Sequence, residues 1–130
     1  MTADRTRLQI EQFDKALHRL HEVLALDETD VVRDALIQRF EFTFEMAWRS
    51  LWRFLNDRGE RLSENAYEVL TSAFKSKLIA DADLWGKVRE YRNLTSHTYK
   101  EETAIEVAAF VRSAAVQAFD TLLAELKQRS

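Results

Sequence analysis

Cysteine and proline are absent from this 130-residue chain, and glycine occurs only twice. Without cysteine there is no disulfide framework, no thiolate nucleophile and no zinc–thiolate site. Without proline, and with so little glycine, few positions interrupt a helix. Long hydrophobic runs are missing as well. The longest stretch free of polar residues, VAAFV at 107–111, is far too short to span a bilayer. The first fifteen residues, MTADRTRLQIEQFDK, carry charges where a secretion signal needs an apolar stretch. The chain is therefore expected in the cytoplasm, with no membrane partner. Its length suits a single domain, residues 1–130, able to bury a core without metals or crosslinks.

No excess of positive charge is present either: 19 basic residues face 22 acidic ones, for a net charge of −3. That balance argues against broad, non-specific binding to nucleic acid. Residues 85–100 are a local exception, with Lys87, Arg89, Arg92 and Lys100 against Glu90 alone. This stretch can attract an anion.

What the chain does have is apolar residues at helical spacing, which predicts an all-α fold. Ile10, Phe13, Leu17, Leu20 and Leu24 mark an amphipathic helix over about 4–26. The short link DETD, 27–30, is rich in N-cap residues and makes the next helix antiparallel to the first. That second helix, about 31–57, is the most apolar. Leu36, Phe40, Phe44, Ala47, Leu51 and Phe54 form one face, and Phe42, Met46, Trp48 and Trp52 cover much of the rest. A helix apolar nearly all round is buried on more than one side, so a self-dimer is expected. Gly59 suits the position just past its end.

A short helix is expected after Ser63 as N-cap, burying Ala66, Tyr67, Leu70 and Phe74. Asp81 or Asp83 caps a fourth helix carrying Leu84, Val88, Tyr91 and Leu94, in which Gly86 suggests close approach of another backbone. Thr103-Ala-Ile-Glu106 reads as a capping box for a last long helix. Its stripe is Ile105, Ala108, Val111, Ala115, Phe119, Leu122 and Leu126. The sum is an antiparallel four-helix-type bundle with one extra short helix.

Chemistry concentrates in RNLTSHTY, residues 92–99, where the fourth helix ends. By composition alone Arg-x4-His is expected about 0.3 times in such a chain, and Arg-x4-His-x-Tyr about 0.007 times. Arg92 offers a permanent, planar, multi-donor cation suited to phosphate. His97 can move a proton near neutral pH. Together they suit cleavage of an RNA phosphodiester: His97 would assist the 2′-OH or the leaving oxygen, and Arg92 would stabilise charge on the phosphate. No metal or other cofactor is required. Five residues along a helix amount to a net rotation of about 140°, so the two side chains do not share a helix face. Either the helix unwinds near Ser96, or a second subunit completes the site. The competing structural reading has Arg92 paired with an acid, His97 capping the helix end and Tyr99 packed under the loop.

Two other groups invite attention. Asp14, His18, His21 and Glu22 lie near one side of the first helix. Bundles that hold two metals need Glu-x-x-His pairs from several helices, and the chain has none, so a solvated face is the better reading. Glu41, Glu45 and Arg49 follow at i, i+4 and i+8. Glu45 and Arg49 can pair along the helix, or the glutamates can hold Arg92 or His97 from across the bundle, since buried charges are normally paired. Trp48, Trp52 and Trp85 read as core or interface residues.

RNLTSHTY resembles the Arg-x4-6-His motif of HEPN domains, in the Arg-x4-His-x-Tyr form of the HepT-like toxins. RFEFTFEMAWRSL, 39–51, is similar to the second helix of the branch called nucleotidyltransferase substrate-binding proteins. The resemblance extends over nearly the whole chain. It implies a homodimer in which two Arg/His motifs meet in a cleft, acting as a metal-independent endoribonuclease toxin. It further implies a partner, a minimal nucleotidyltransferase antitoxin, that transfers AMP from ATP onto the motif tyrosine. Carried over by position, Arg92 and His97 form the ribonuclease pair, Asn93 supports it, and Tyr99 accepts AMP. Some HEPN domains act only as binding partners, which leaves open a non-catalytic substrate-binding subunit of a nucleotidyltransferase.

Overall fold

The computed structural model describes residues 2–130, and among these there is no strand. Five helices follow in order: α1 (Asp4–Leu24), α2 (Asp30–Asp57), α3 (Ala66–Lys75), α4 (Ala82–Leu94) and α5 (Glu101–Arg129). The long helices form an antiparallel four-helix-type bundle, with α3 as the short addition. Thr29 caps α2 by accepting a hydrogen bond from the Val32 amide at 3.1 Å.

The core is built from the stripes that the periodicity marks. Ile10, Phe13, Leu17 and Leu20 of α1 are buried with Leu36, Phe40, Phe44, Ala47, Leu51 and Phe54 of α2. Phe119 of α5 lies at the centre, with ring centroids 6.3 Å from Phe13, 6.0 Å from Phe40 and 5.8 Å from Trp85. Trp48 and Trp85 are core residues, and Trp52 donates to the Leu62 carbonyl at 2.9 Å, pinning the α2–α3 connection. Gly59 sits just past α2 with φ of +97°, a conformation that costs glycine little.

Local expectations fail at three places. α3 is capped by Asn65, not Ser63: its side chain accepts from the Glu68 amide at 3.0 Å. The helix buries Val69, Leu70 and Ala73, while Tyr67 and Phe74 are exposed. The latter two lie about 120–140° round the helix from the Val69–Ala73 line. At Gly86 no backbone approaches: a Cβ built there meets nothing within 4 Å. The last helix starts at Glu101, ahead of the Thr103 box, because Lys100 is extended and Glu101 and Glu102 suit the positive end of a first turn. Ile105, expected in the apolar stripe, is exposed.

By length and composition α5 could cross a membrane, but half of its most apolar stretch is buried inside the bundle. It contains a π-helical turn at Val111–Ala115. From this turn Arg112 reaches the α1–α2 connection, donating to Glu28 Oε1 at 2.9 Å and to the Leu24 carbonyl at 3.0 Å. Arg33 donates to the other Glu28 oxygen at 2.9 Å. Burial raises the Glu28 pKa, but the hydrogen bonds and charges of Arg112 and Arg33 outweigh it, so the net shift is downward. A carboxylate with a lowered folded-state pKa stabilises the fold above its unfolded value, and that contribution is lost as pH falls through the folded value. Glu28→Gln is therefore expected to cost about 1 kcal/mol at pH 7. The gap to wild type should close as denaturant melts are taken below the ordinary glutamate value of 4.5. A gap that persists or widens in acid contradicts this account.

Candidate functional site

Asp81 starts α4 by accepting from the Leu84 amide at 3.0 Å, and Trp85 and Val88 anchor the helix in the core. Tyr91 adds a tie to α5: its ring stacks on Phe110 at 4.1 Å and its hydroxyl donates to Glu106 at 3.2 Å. Burial, then the Glu106 bond, pushes the Tyr91 phenol up, keeping it a donor. These anchors fix the direction in which the next residue, Arg92, leaves the helix.

Arg92 points toward α2. Its Nη1 lies 3.4 Å from Glu41 Oε2, and its Nε lies 3.6 Å from Glu45 Oε1. These separations are ion-pair distances, longer than a good N–H···O bond. Nε is buried with no aligned acceptor, while Nη1 donates to Thr95 Oγ1 at 2.9 Å. The guanidinium is therefore placed by charge and keeps donors to spare. Glu45 also accepts from Trp48 Nε1 at 3.1 Å and lies 4.0 Å from Arg49, which pairs in turn with Glu64 at 3.5 Å. Two of the sequence alternatives thus coexist. Arg92 is paired with acids, and the acids come from across the bundle.

After Leu94 the chain tightens into a 3-10 turn, Thr95–His97. Thr95 Oγ1 donates to the Arg92 carbonyl at 2.6 Å, Ser96 Oγ to the Asn93 carbonyl at 3.0 Å, and Thr98 Oγ1 to the Thr95 carbonyl at 3.1 Å. These hydroxyls add bonds to carbonyls at the end of the helix, where intrahelical partners run out; the Arg92 carbonyl also accepts the Thr95 amide. A 3-10 turn advances about 120° per residue, so the tightening turns His97 further from Arg92 rather than toward it. Among the described residues no hydrogen bond or ion pair joins the two. His97 is exposed, its ring edge-on to Tyr99 with centroids 6.0 Å apart. Asn93 is exposed on the same segment.

Tyr99 does not pack under the loop. It is 77% exposed, beside a hollow of about 240 Å³ lined by Asp30, Arg33, Asp34, Thr98, Glu101 and Ala104. Arg33 is already engaged by Glu28 and Asp30. The residues around Tyr99 are thus mainly acidic, and its ring is open to a large partner.

The polar face of α1 is arranged as separate pairs. Asp14 meets Lys127 at 2.7 Å, His21 meets Asp120 at 2.7 Å and His18 lies 3.5 Å from Glu22. Two groupings were missed from the sequence. Arg112 lies 84 residues from Glu28, so spacing could not join it to the local Glu28–Arg33 pair. The contact of Arg89 on α4 with the Tyr67 ring on α3 depends on how those two helices pack, which spacing within either does not signal.

Comparison with known proteins gives a consistent set. The family described as nucleotidyltransferase substrate binding protein like matches residues 8–128. A Haemophilus influenzae protein named Probable ribonuclease HepT is 32% identical over 111 residues, covering 79% of this chain and 75% of that protein. A solved Haemophilus influenzae structure, described as revealing the fold of a substrate binding domain of a nucleotidyltransferase, matches with a TM-score of 0.77. Its sequence identity is 26%, over 92% of this chain and 99% of that one. A crystal structure from Thermus thermophilus matches with a TM-score of 0.75 and 32% identity, over 90% of this chain and 97% of that one.

Proposed function

The chain belongs to the nucleotidyltransferase substrate binding protein like family, and from that premise we propose that it is a ribonuclease toxin whose Tyr99 is the point at which a partner nucleotidyltransferase silences it. The observation that supports this best is the arrangement of residues 92–99: a cation held by charge with donors free, an exposed imidazole, and an exposed phenol beside that imidazole.

Cleavage takes place in a cleft between two chains, where the motifs supply Arg92 and His97 from opposing sides. His97 accepts the proton of the 2′-OH as that oxygen attacks phosphorus, or protonates the departing 5′-oxygen. Arg92 turns its unused N–H groups onto the non-bridging oxygens as their charge grows. Glu41 and Glu45 are positioning residues that hold the guanidinium against α2 by charge, and Asn93 offers a further polar contact at the rim. None of these steps calls for a cofactor.

Silencing uses Tyr99. Its oxygen attacks the α-phosphorus of ATP, pyrophosphate leaves, and the phenolic proton goes to a base on the transferase, since an ordinary phenol titrates near pH 10. The product places a bulky anion two residues from His97, where RNA phosphate would lie. Incubated with the transferase and ATP, the wild-type chain is expected to gain the mass of one adenylyl group and lose cleavage. Tyr99→Phe should show neither change in intact-mass and cleavage assays. Continued modification of the Tyr99→Phe chain would place the acceptor elsewhere.

A second reading has its own support. In one chain Arg92 is balanced by Glu41 and Glu45, and it does not meet His97. That arrangement equally suits a non-catalytic subunit that presents Tyr99, or a bound substrate, to a nucleotidyltransferase. Under it Tyr99 is modified but no RNA is cut by any oligomer of the chain.

A further inference from the structure

Arg92 and His97 account for one phosphate, yet a longer RNA strand needs more than that. One turn earlier on α4, Arg89 has no ion pair among the described residues. Its guanidinium lies instead 5.1 Å from the centroid of the Tyr67 ring on α3. Tyr67 is 63% exposed, so this ring contributes little to the core. Exposed cation–π contacts are also weak as stabilising elements. An unpaired cation on an open aromatic ring is a poor structural device and a good nucleotide platform. Beside the ring lies a hollow of about 530 Å³, with Asn65, Thr71 and Lys75 in its wall and Glu60 and Glu68 at the same hollow. That volume is in the range of small-ligand sites.

We propose that Tyr67 and Arg89 form a subsite for single-stranded RNA next to the cleavage motif, with one base stacked on the Tyr67 ring and Arg89 paired with the phosphate adjoining the scissile one. The subsite rests on the RNA-cleaving reading of Arg92 and His97. Residues at i and i+3 on a helix have Cβ atoms about 5–6 Å apart, so the two arginines follow one another as consecutive phosphates follow along a strand. Their electrical states differ in a useful way. Arg92 is balanced by glutamates, whereas Arg89 supplies uncompensated charge for the first attraction. Stacking on an aromatic ring accepts any base, so the subsite selects unpaired strands over duplexes rather than one sequence over another.

The test measures binding of a fluorescent single-stranded oligoribonucleotide to the His97→Ala chain, which keeps both residues and does not cut its ligand. Adding Tyr67→Ala is expected to weaken binding by about fivefold or more, and Tyr67→Phe, which retains the ring, should restore most of the affinity. Arg89→Gln should weaken binding and reduce the slope of log affinity against log salt by about 0.7. With an abasic strand the Tyr67→Ala effect should vanish. Melting temperatures control for folding. Affinities for Tyr67→Ala within about twofold of the parent, or an equal loss on the abasic strand, overturn the subsite. Wild-type cleavage assayed in parallel separates the two ideas. Cleavage that needs His97 but ignores Tyr67 removes the subsite alone, whereas absence of both cleavage and RNA binding removes the ribonuclease reading with it.

Discussion

Replacing His97 by alanine is expected to slow RNA cleavage by about 10²–10⁴-fold, the usual loss when a positioned acid–base group is removed. Arg92→Ala should cost about 10²–10³-fold through lost stabilisation of the phosphate charge. Neither change should unfold the protein. His97 is exposed, and Arg92, Glu41 and Glu45 are each about a third exposed as side chains, so breaking their pairs costs no more than about 1 kcal/mol. Arg92→Lys keeps the charge but loses the planar fork, and should recover only part of the rate. The two-chain cleft adds a sharper expectation. Mixed dimers of Arg92→Ala and His97→Ala chains still carry one intact arginine and one intact histidine, so mixing two inactive proteins should return some cleavage. Single-turnover rates on a defined oligoribonucleotide, with thermal melts alongside, measure all of this. A His97→Ala enzyme that cuts at the wild-type rate removes the catalytic assignment.

The second large effect is on stability. Phe119 is fully buried and meets Phe13, Phe40 and Trp85 at 5.8–6.3 Å, so one ring joins α1, α2, α4 and α5. Phe119→Ala removes that burial and leaves a cavity that four helices cannot close together, at a cost of about 3–5 kcal/mol. Domains of this size have about 5–15 kcal/mol in total. The melting temperature should therefore drop by about 10 °C or more, while Phe119→Leu, which fills more of the space, loses less. Trp85 lies on the helix that aims Arg92, so loosening this cluster also loosens the motif. A fall of only about 3 °C for the alanine variant would show that the core repacks around the gap.

How much of this was legible beforehand varies with the length of the element. α1, α2 and α5 each repeat their apolar period over several turns, so Phe13, Leu36, Phe54, Phe119 and Leu126 could be placed inside from spacing alone. α3 has ten residues, and there a Tyr67–Leu70–Phe74 rhythm competes with Val69–Leu70–Ala73. The first was expected to be buried, yet the second is the set that is. The start of α5 was misplaced because the capping box at Thr103 was read alone, whereas the helix begins at Glu101, with Glu101 and Glu102 in its first turn. At the site, position along the chain was enough to place His97 and Tyr99 at a helix–loop junction. The approach of Glu41 and Glu45 to Arg92 depends on how α2 and α4 are rotated against one another, which spacing within either helix does not encode.

The stretch that joins α4 to α5 is short: only residues 98–100 lie between the 3-10 turn and the last helix, and both flanking helices are anchored in the core. Tyr99 therefore has a tether with almost no slack, and any group attached to it stays within a side chain's length of His97. In the proposed silencing, the adenylyl group acts as an intramolecular competitor whose effective concentration is in the millimolar range typical of short links. Raising free RNA would hardly displace it, and diluting the protein would not release it. Recovery would require breaking the phosphodiester to Tyr99 or synthesising a new chain.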